Sequence, residues 1–183
     1  MTVVLATTLM LFLFTVCKAR GRSRVSYFAI AFVTLTFLMI MIAVTVKPIT
    51  RYQTHRAATM YYGHLVAGEF EKAFEYVAYY DRYSDLKPEV PYEDAKQIWV
   101  NRVSKMKENG IYLSKVEKIK VFIDDGYPMG TAYVIIVNNS IESSVTQHIH
   151  FVNFGGWKVQ SVRSTSGGLP EFDKTISGYI PGN

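Results

Sequence analysis

Six tyrosines crowd one short stretch of this chain, and they are the side chains best suited to chemistry or binding. They are Tyr61, Tyr62, Tyr76, Tyr79, Tyr80 and Tyr83. Asp81 lies among them, and Trp99 follows on a nearby apolar stretch. A tyrosine ring packs against apolar surfaces while its hydroxyl keeps a hydrogen-bond partner, so such rings can line a ligand cavity or fill a core. The candidate ligand-binding residues are therefore Tyr61, Tyr62, Tyr76, Tyr80, Asp81 and Trp99.

The second candidate group is a histidine pair, His148 and His150. Residues two apart on a strand point to the same side, so their imidazoles could bind one metal ion. No third ligand is evident in the sequence, and the neighbouring Ile149 and Phe151 have the character of a core-facing side. We therefore expect both histidines on the outward face of a strand, and we predict no metal site and no cofactor.

Known catalytic motifs and a nucleic-acid-binding surface are both missing from the sequence. It contains no GxSxG, HExxH, P-loop or dinucleotide fingerprint, so we assign no catalytic residue. The formal net charge is +5, but the 15 Lys and Arg from residue 51 onward balance all 15 Asp and Glu. The excess comes from five cations that flank an apolar segment, namely Lys18, Arg20, Arg22, Arg24 and Lys47. We therefore predict no nucleic-acid partner.

Val25–Val46 has the length and composition of a transmembrane helix. It has 22 residues without a charge and, as a helix, it spans the roughly 30 Å hydrocarbon layer of a bilayer. Cations are enriched on its N-terminal side, which predicts a basic cytoplasmic loop over 18–24 and an extracytoplasmic domain after the span. The predicted location is the cell membrane, with the lipid bilayer as a partner. Because the span contains no ionisable residue, we interpret it as an anchor rather than a transport path.

A second apolar segment precedes the basic loop. The 16 residues Thr2–Cys17 reach about 24 Å as a helix, which is short for a span but feasible with local bilayer thinning. We predict 1–17 as a first transmembrane helix, so that the two spans form a helical hairpin. A translation start at Met10 would leave a single span. Cys17 is the only cysteine, which excludes an intramolecular disulfide.

The remaining chain predicts one globular domain over 51–164, and its first part is helical. Pro48 should end the membrane helix because proline lacks an amide donor, and Thr50 should cap a new helix over Arg51–Ala67. After a glycine turn, apolar residues recur at helical spacing over Phe70–Ala78. Pro91 should begin a third helix. Its predicted buried face comprises Ala95, Ile98, Trp99, Val103 and Met106.

The second part of the domain has the two-residue apolar period of β-strands. The predicted strands are Ile111–Asp124, Thr131–Val137, Val145–Phe154 and Trp157–Arg163. Turn residues separate them, with Asp-Asp-Gly, Asn-Asn-Ser and Gly-Gly as the three connections. Helices followed by a run of antiparallel strands are typical of an α+β fold. The segment 165–183 is rich in Gly, Ser and Pro, and we predict a flexible tail there.

Two stretches of this sequence resemble the nuclear-transport-factor-two-like superfamily, the cystatin-like α+β cone. The matching residues are Tyr61-Tyr62, Leu65, Gly68-Glu69-Phe70-Glu71-Lys72-Ala73-Phe74 and Gly155-Gly156-Trp157-Lys158-Val159. They are similar to that fold's common helix pair and to its last strand. The resemblance covers about 51–164. It implies three helices packed on a curved four-strand antiparallel sheet around an apolar-walled cavity.

The resemblance leaves several functions open, because one fold supports many activities. Ketosteroid isomerase-like members use Tyr and Asp inside the cone for proton transfer, whereas many others bind ligands or only contact proteins. Membrane-anchored bacterial members include scaffold subunits of conjugation and type IV secretion machines. We expect a membrane-anchored, non-enzymatic extracytoplasmic domain that acts by protein contact, self-association or apolar ligand binding. The alternatives are an isomerase-like or dehydratase-like enzyme and a secretion scaffold.

The interior of the cone should distinguish binding from catalysis. A cone filled by Trp99, Phe74 and Trp157 would favour contact through the surface. An open cone with a buried carboxylate that solvent can reach would favour chemistry.

Overall fold

The computed structural model describes residues 24–81, 88–165 and 168–180. The predicted first apolar helix over 1–17 and all of the predicted loop 18–24 except Arg24 lie outside these residues. The chain divides into two compact units, Met1–Ile49 and Thr50–Asn183. The helices are α1 (Arg24–Ala67), α2 (Phe70–Phe74), α3 (Tyr92–Glu108) and α4 (Pro170–Ile176). The strands are β1 (Ile111–Asp124), β2 (Tyr127–Asn138), β3 (Ile141–Asn153) and β4 (Trp157–Ser164).

The α+β prediction is confirmed, because three helices precede a four-strand antiparallel sheet of order β1-β2-β3-β4. Two of the predicted turns close tight hairpins. Asp125 and Gly126 have φ of 45° and 86°, and Asn139 and Ser140 have φ of 50° and 69°. Two successive residues with positive φ form the turn whose twist matches that of paired antiparallel strands. The turns thereby fix the register, with Asp124 opposite Tyr127.

The first helix does not end at Pro48. We predicted a break there and a helix cap at Thr50, but α1 continues through both residues. One proline removes one amide donor and costs about 3 kcal/mol, which a 44-residue helix sustains through its remaining bonds. The Thr50 carbonyl accepts a hydrogen bond from Thr54 Oγ1 at 2.8 Å, as it would inside a helix. The predicted boundary at Pro48 is therefore wrong.

Over the residues that the structure describes, no helix is both long and apolar enough to cross a membrane.

The core of Thr50–Asn183 lies between the helices and one face of the sheet. Along β3, the buried residues Val145, Gln147, Ile149 and Phe151 alternate with more exposed ones. This alternation follows from the two-residue period of a strand, which turns successive side chains to opposite faces. The predicted helix face is largely confirmed, since Ala95, Trp99 and Val103 are buried on α3. Met106 is only partly buried, and Ile98 departs most from the prediction, because 38% of its surface is exposed.

Much of the predicted tail is part of the core. We predicted a flexible tail over 165–183, but α4 lies there, and Phe172, Ile176 and Ile180 are buried. The backbone after α4 is also bound, because the Gly178 amide donates to Gln160 O at 2.9 Å and the Ile180 amide to Tyr80 O at 2.8 Å. The tail prediction is therefore wrong for Leu169–Ile180, which we call the C-terminal segment.

Candidate functional site

Tyr61 and Tyr62 are fully buried on α1, and both hydroxyls donate hydrogen bonds inside the core. The Tyr61 hydroxyl donates to Ile176 O at 2.6 Å, and the Tyr62 hydroxyl donates to Gln147 Oε1 at 3.0 Å. Their rings meet edge to face with centroids 5.0 Å apart. Edge-to-face pairs add about 0.5–1.5 kcal/mol beyond the burial of their area. These two tyrosines therefore connect α1 to β3 and to the C-terminal segment.

Trp99 and Arg102, both on α3, hold the C-terminal segment by its backbone. The indole Nε1 of Trp99 donates to Ser177 O at 3.0 Å. The Arg102 guanidinium donates to three carbonyls of that segment, those of Thr175, Ser177 and Tyr179, at 2.7–3.0 Å. Burial lowers the pKa of Arg102, but a guanidinium with this many acceptors stays charged. Both side chains bind main-chain oxygens.

Asp173 completes a buried polar network that the sequence analysis missed. Its Oδ1 accepts from Gln147 Nε2 and from Ser164 Oγ, both at 2.8 Å, and its Oδ2 accepts from the Ser164 amide at 2.6 Å. Gln147 in turn accepts from Tyr62, so one network joins α1, β3, β4 and α4. The overlooked signal was the spacing of Phe172 and Ile176, which are four residues apart and lie on one face of α4.

The other predicted site residues bind elsewhere in the same unit. Tyr76 stacks on His64 with centroids 6.0 Å apart. Tyr80 packs against the ring of Tyr179 at 5.7 Å. Asp81 Oδ2 accepts from the Glu89 amide at 2.6 Å, in the segment before α3. Asp81 thus accepts a hydrogen bond from a backbone amide. Tyr61, in contrast, donates to the C-terminal segment, and Tyr62 donates to β3.

The interior is filled rather than open. Trp99, Phe74, Tyr61 and Tyr62 have no exposed surface, and Ile176 and Ile180 close over them. The void that borders Phe172 and Ile176 has a volume of about 10 Å³, which is about the minimum for one water molecule. Trp157, which we expected in the filling, is only half-buried. The described part of the chain therefore has no interior cavity at this position for a small-molecule ligand.

His148 and His150 lie on the exposed face of β3, as expected. Within the described ranges, no three His, Cys, Asp or Glu side chains come together in a way that could hold a metal ion.

A groove on the surface of Thr50–Asn183 is larger than any interior void described above. It has a volume of about 440 Å³ and lies between α1 and β1. It is lined by His55, Thr59, Tyr62, Gly63, Val66, Ser114, Lys115, Val116, Glu117, Lys118 and Ile119. We call it the α1–β1 groove. Its walls come from two elements whose packing no local pattern specifies, so the sequence alone does not predict this groove.

The two edges of the sheet differ. The β4 edge is covered, since Ala78 N donates to Val159 O and Val159 N donates to Tyr76 O, each at 2.8 Å. Beyond β1, the described residues contribute no further strand. An uncovered edge presents free amides and carbonyls to any extended segment that approaches it. The open edge and the α1–β1 groove adjoin each other, so together they form the candidate binding surface.

The burial of Tyr61 and Tyr62 predicts a loss of stability at alkaline pH. Desolvation raises the pKa of both phenols well above the ordinary value of 10.0, and Asp173 adds to the effect. Above pH 10 the unfolded chain therefore loses tyrosine protons that the folded chain keeps, and stability falls as pH rises. We expect a loss of about 1.4 kcal/mol per pH unit for each buried phenol.

Urea unfolding of the full chain in detergent at pH 8, 10 and 11 tests this prediction. Tyr62→Phe should lower stability by about 1 kcal/mol at pH 8 but flatten the alkaline decline. The matched control is Tyr127→Phe, at an exposed phenol, which should decline like the unsubstituted protein. An alkaline slope that Tyr62→Phe leaves unchanged would contradict the assignment.

Comparison with known proteins identifies no relative. No protein-family model, no curated protein and no solved structure matches this chain.

Proposed function

We propose that this protein is a membrane-anchored extracytoplasmic domain that acts through protein contact rather than catalysis. The observation that carries the proposal is the filled interior. Tyr61, Tyr62 and Asp173 are engaged in hydrogen bonds that hold the fold, and the C-terminal segment fills the interior beside them. The α1–β1 groove, in contrast, is open to solvent.

Anchoring is supported by the sequence of Val25–Val46 and by its surroundings. The structure describes only some of the side chains of Val25–Val46. Most of those that it describes are apolar and exposed. Phe32, Val33 and Leu35 expose 71%, 66% and 60% of their surface in one helical stretch. Isolated apolar residues at a surface are ordinary, whereas such a stretch needs an apolar environment. A bilayer provides one, and the basic residues 18–24 orient the span.

The groove favours a different protein over a second copy of this chain. Along β1, the exposed Lys115, Lys118 and Lys120 outnumber the exposed Glu117, so pairing two β1 edges would concentrate positive charge. Shifts of register at two places in β1 also bend that edge away from flat self-pairing. Lys115 is matched by Glu117 at 3.4 Å. An extended partner segment with an acidic side chain near Lys118 would add to the edge and fill the groove.

Site-specific photo-crosslinking in the producing cells tests this function. A photoreactive residue in place of Val66, at the groove, should give a discrete adduct with one protein in the membrane fraction. The control carries the same photoreactive residue in place of Glu142, which is exposed at the start of β3. It should not give that adduct. Lys118→Glu should reduce the Val66 adduct by about tenfold, because it replaces an attraction by a repulsion.

Two outcomes would contradict the proposal. The first is the same adduct from both positions or from neither. The second is release of the chain from membranes by alkaline carbonate, which would remove the anchor.

A further inference from the structure

The face of the sheet that points away from the core has a row of polar and basic side chains across all four strands. Lys120 on β1 lies opposite Thr131 on β2. His148 on β3 lies between Thr131 and Arg163, which is on β4. Directly opposite residues of paired strands have their side chains on the same face. Because Lys120, His148 and Arg163 are all exposed, the row presents basic groups to solvent.

Two further basic side chains adjoin this row. Lys118 lies opposite Tyr133, and the Lys120 amine lies 5.7 Å from the centroid of that ring. His150 is exposed and follows His148 by two residues, so both histidines share one face. We call this group the basic face. It comprises Lys118, Lys120, His148, His150 and Arg163.

Three acidic side chains beside the basic face have cations of their own. The partners are Lys115 for Glu117 at 3.4 Å, Lys174 for Glu171 at 3.0 Å, and the half-buried Lys158, on whose charge Glu75 acts. These acids therefore contribute little to neutralising the basic face.

The other acids of this side of the sheet lie towards its two ends. Asp124 is four residues from Lys120 along β1, about 13 Å at 3.3 Å per residue, and Asp125 lies beyond it in the turn. Glu142 is six residues from His148 along β3, about 20 Å. Both separations exceed the roughly 8–10 Å over which exposed charges act at physiological ionic strength. The middle of this side of the sheet therefore has a net positive charge.

The arrangement is unfavourable without an anionic partner. Arg163 and His148 are directly opposite, and like charges in this position destabilise a sheet whenever the imidazole is protonated. Lys120 and Arg163 are three strand spacings apart, about 14 Å. A single small anion cannot contact both of them, whereas a surface with several carboxylates can.

We propose that the basic face binds an acidic surface of another protein. Charge complementarity determines the sign of the partner, and the spacing of Lys120 and Arg163 requires several anionic groups on it. The inference depends neither on the membrane anchor nor on the α1–β1 groove. Lys120 and Arg163 do not line that groove, so the two surfaces can be tested separately.

Two observations favour a protein over a nucleic acid. From residue 51 onward, the 15 Lys and Arg balance the 15 Asp and Glu, whereas nucleic-acid-binding domains are usually basic as a whole. Apolar side chains also adjoin the cations, since Met129 lies opposite both Phe122 and His150. Aromatic residues, Met and Arg are the residues enriched in protein interfaces.

Binding of an acidic peptide to the full chain in nonionic detergent tests the proposal. The probe is a fluorescein-labelled peptide of Glu-Ser repeats, and its anisotropy is measured at low salt. Lys120→Gln with Arg163→Gln should weaken binding about tenfold, because two attractions are lost. The matched control is Arg56→Gln with Lys105→Gln, which removes the same charge from exposed positions on α1 and α3. It should change the affinity less than about twofold. Both variants keep the basic residues 18–24, so any binding there cancels in the comparison.

A carbodiimide then locates the bound peptide, because it joins carboxylates to lysine amines in contact with them. Lys118 and Lys120 should carry the peptide, and Lys105 should not. Equal weakening by the two double variants would show that binding follows net charge alone, which would overturn the proposal. An oligothymidylate that binds more tightly than the peptide, and loses affinity in the Lys120 and Arg163 variant, would identify a nucleic acid instead. Self-association that the same variant abolishes would identify a second copy of this chain, which also contradicts the proposal.

Discussion

A chain that ends after Thr165 is expected to lose the cooperative folding of Thr50–Asn183. The deletion removes Phe172, Ile176 and Ile180 from the core, each at most 3% exposed. Burial of one such side chain contributes about 1.5–3 kcal/mol, so three contribute about 5–9 kcal/mol. The total stability of a domain is about 5–15 kcal/mol. The free energy lost with this packing alone is therefore comparable to the total stability of the domain.

The deletion also leaves polar groups without partners. The hydroxyl of Tyr61 and the indole of Trp99 donate to backbone oxygens of the C-terminal segment, and Gln147 donates to Asp173 within it. Each buried donor that loses its acceptor costs about 1–3 kcal/mol more. We therefore expect the shortened chain to lack near-ultraviolet circular dichroism and a cooperative urea transition in detergent.

The matched control is a chain that ends after Ile180, which keeps every contact described here for the C-terminal segment. It should unfold like the full-length protein. A chain ending after Thr165 that kept a cooperative transition within about 2 kcal/mol of the full chain would show that the segment is not part of the core.

The elements with a local signal could be predicted from the sequence. β1 was predicted with its observed bounds, Ile111–Asp124, because a strand that is buried on one face shows a two-residue period and ends at a turn. Its turn has glycine where φ is positive, at Gly126. These features depend on neighbours in sequence, so a single sequence contains them.

The features that depended on tertiary context were missed. Pro48 is a helix breaker by its own chemistry, but the surrounding helix overrides it. The composition of 165–183 suggested a tail, because Gly, Ser and Pro outweighed two apolar residues at helical spacing. Ile98 fits the helical period of α3 yet lies half-exposed, since the buried stripe is narrower than the pattern allowed.

In the candidate site, too, the features set by sequence neighbours could be predicted and those set by distant residues could not. The burial of Tyr61, Tyr62 and Trp99 could be predicted from the sequence, because apolar periodicity places them on core faces. Their partners, Gln147, Ile176 and Ser177, are 78 to 115 residues away in the chain, and no local pattern identifies them. The α1–β1 groove also depends on long-range packing. The proposed contact surface therefore left no signature comparable to a catalytic motif.

Replacing Trp99 by alanine is expected to cost about 3–5 kcal/mol of stability, the usual range for a large buried ring. Trp99 has no exposed surface and packs against Phe74 with ring centroids 5.6 Å apart. Its loss opens a cavity at the junction of α2, α3 and the C-terminal segment, and it leaves Ser177 O with one donor fewer. Arg102 Nη2 still donates to that oxygen at 3.0 Å, so most of the cost should come from packing.

Two further variants divide this effect into packing and hydrogen bonding. Trp99→Phe keeps a ring but removes the indole donor, and it should cost about 1–3 kcal/mol. Ile98→Ala, one residue earlier on α3 at a half-exposed position, should cost less than about 1.5 kcal/mol. Urea unfolding of the full chain in detergent gives all three values. If Ile98→Ala cost as much as Trp99→Ala, α3 would present a different face to the core, and the interior would not be filled in the way the proposed surface function requires.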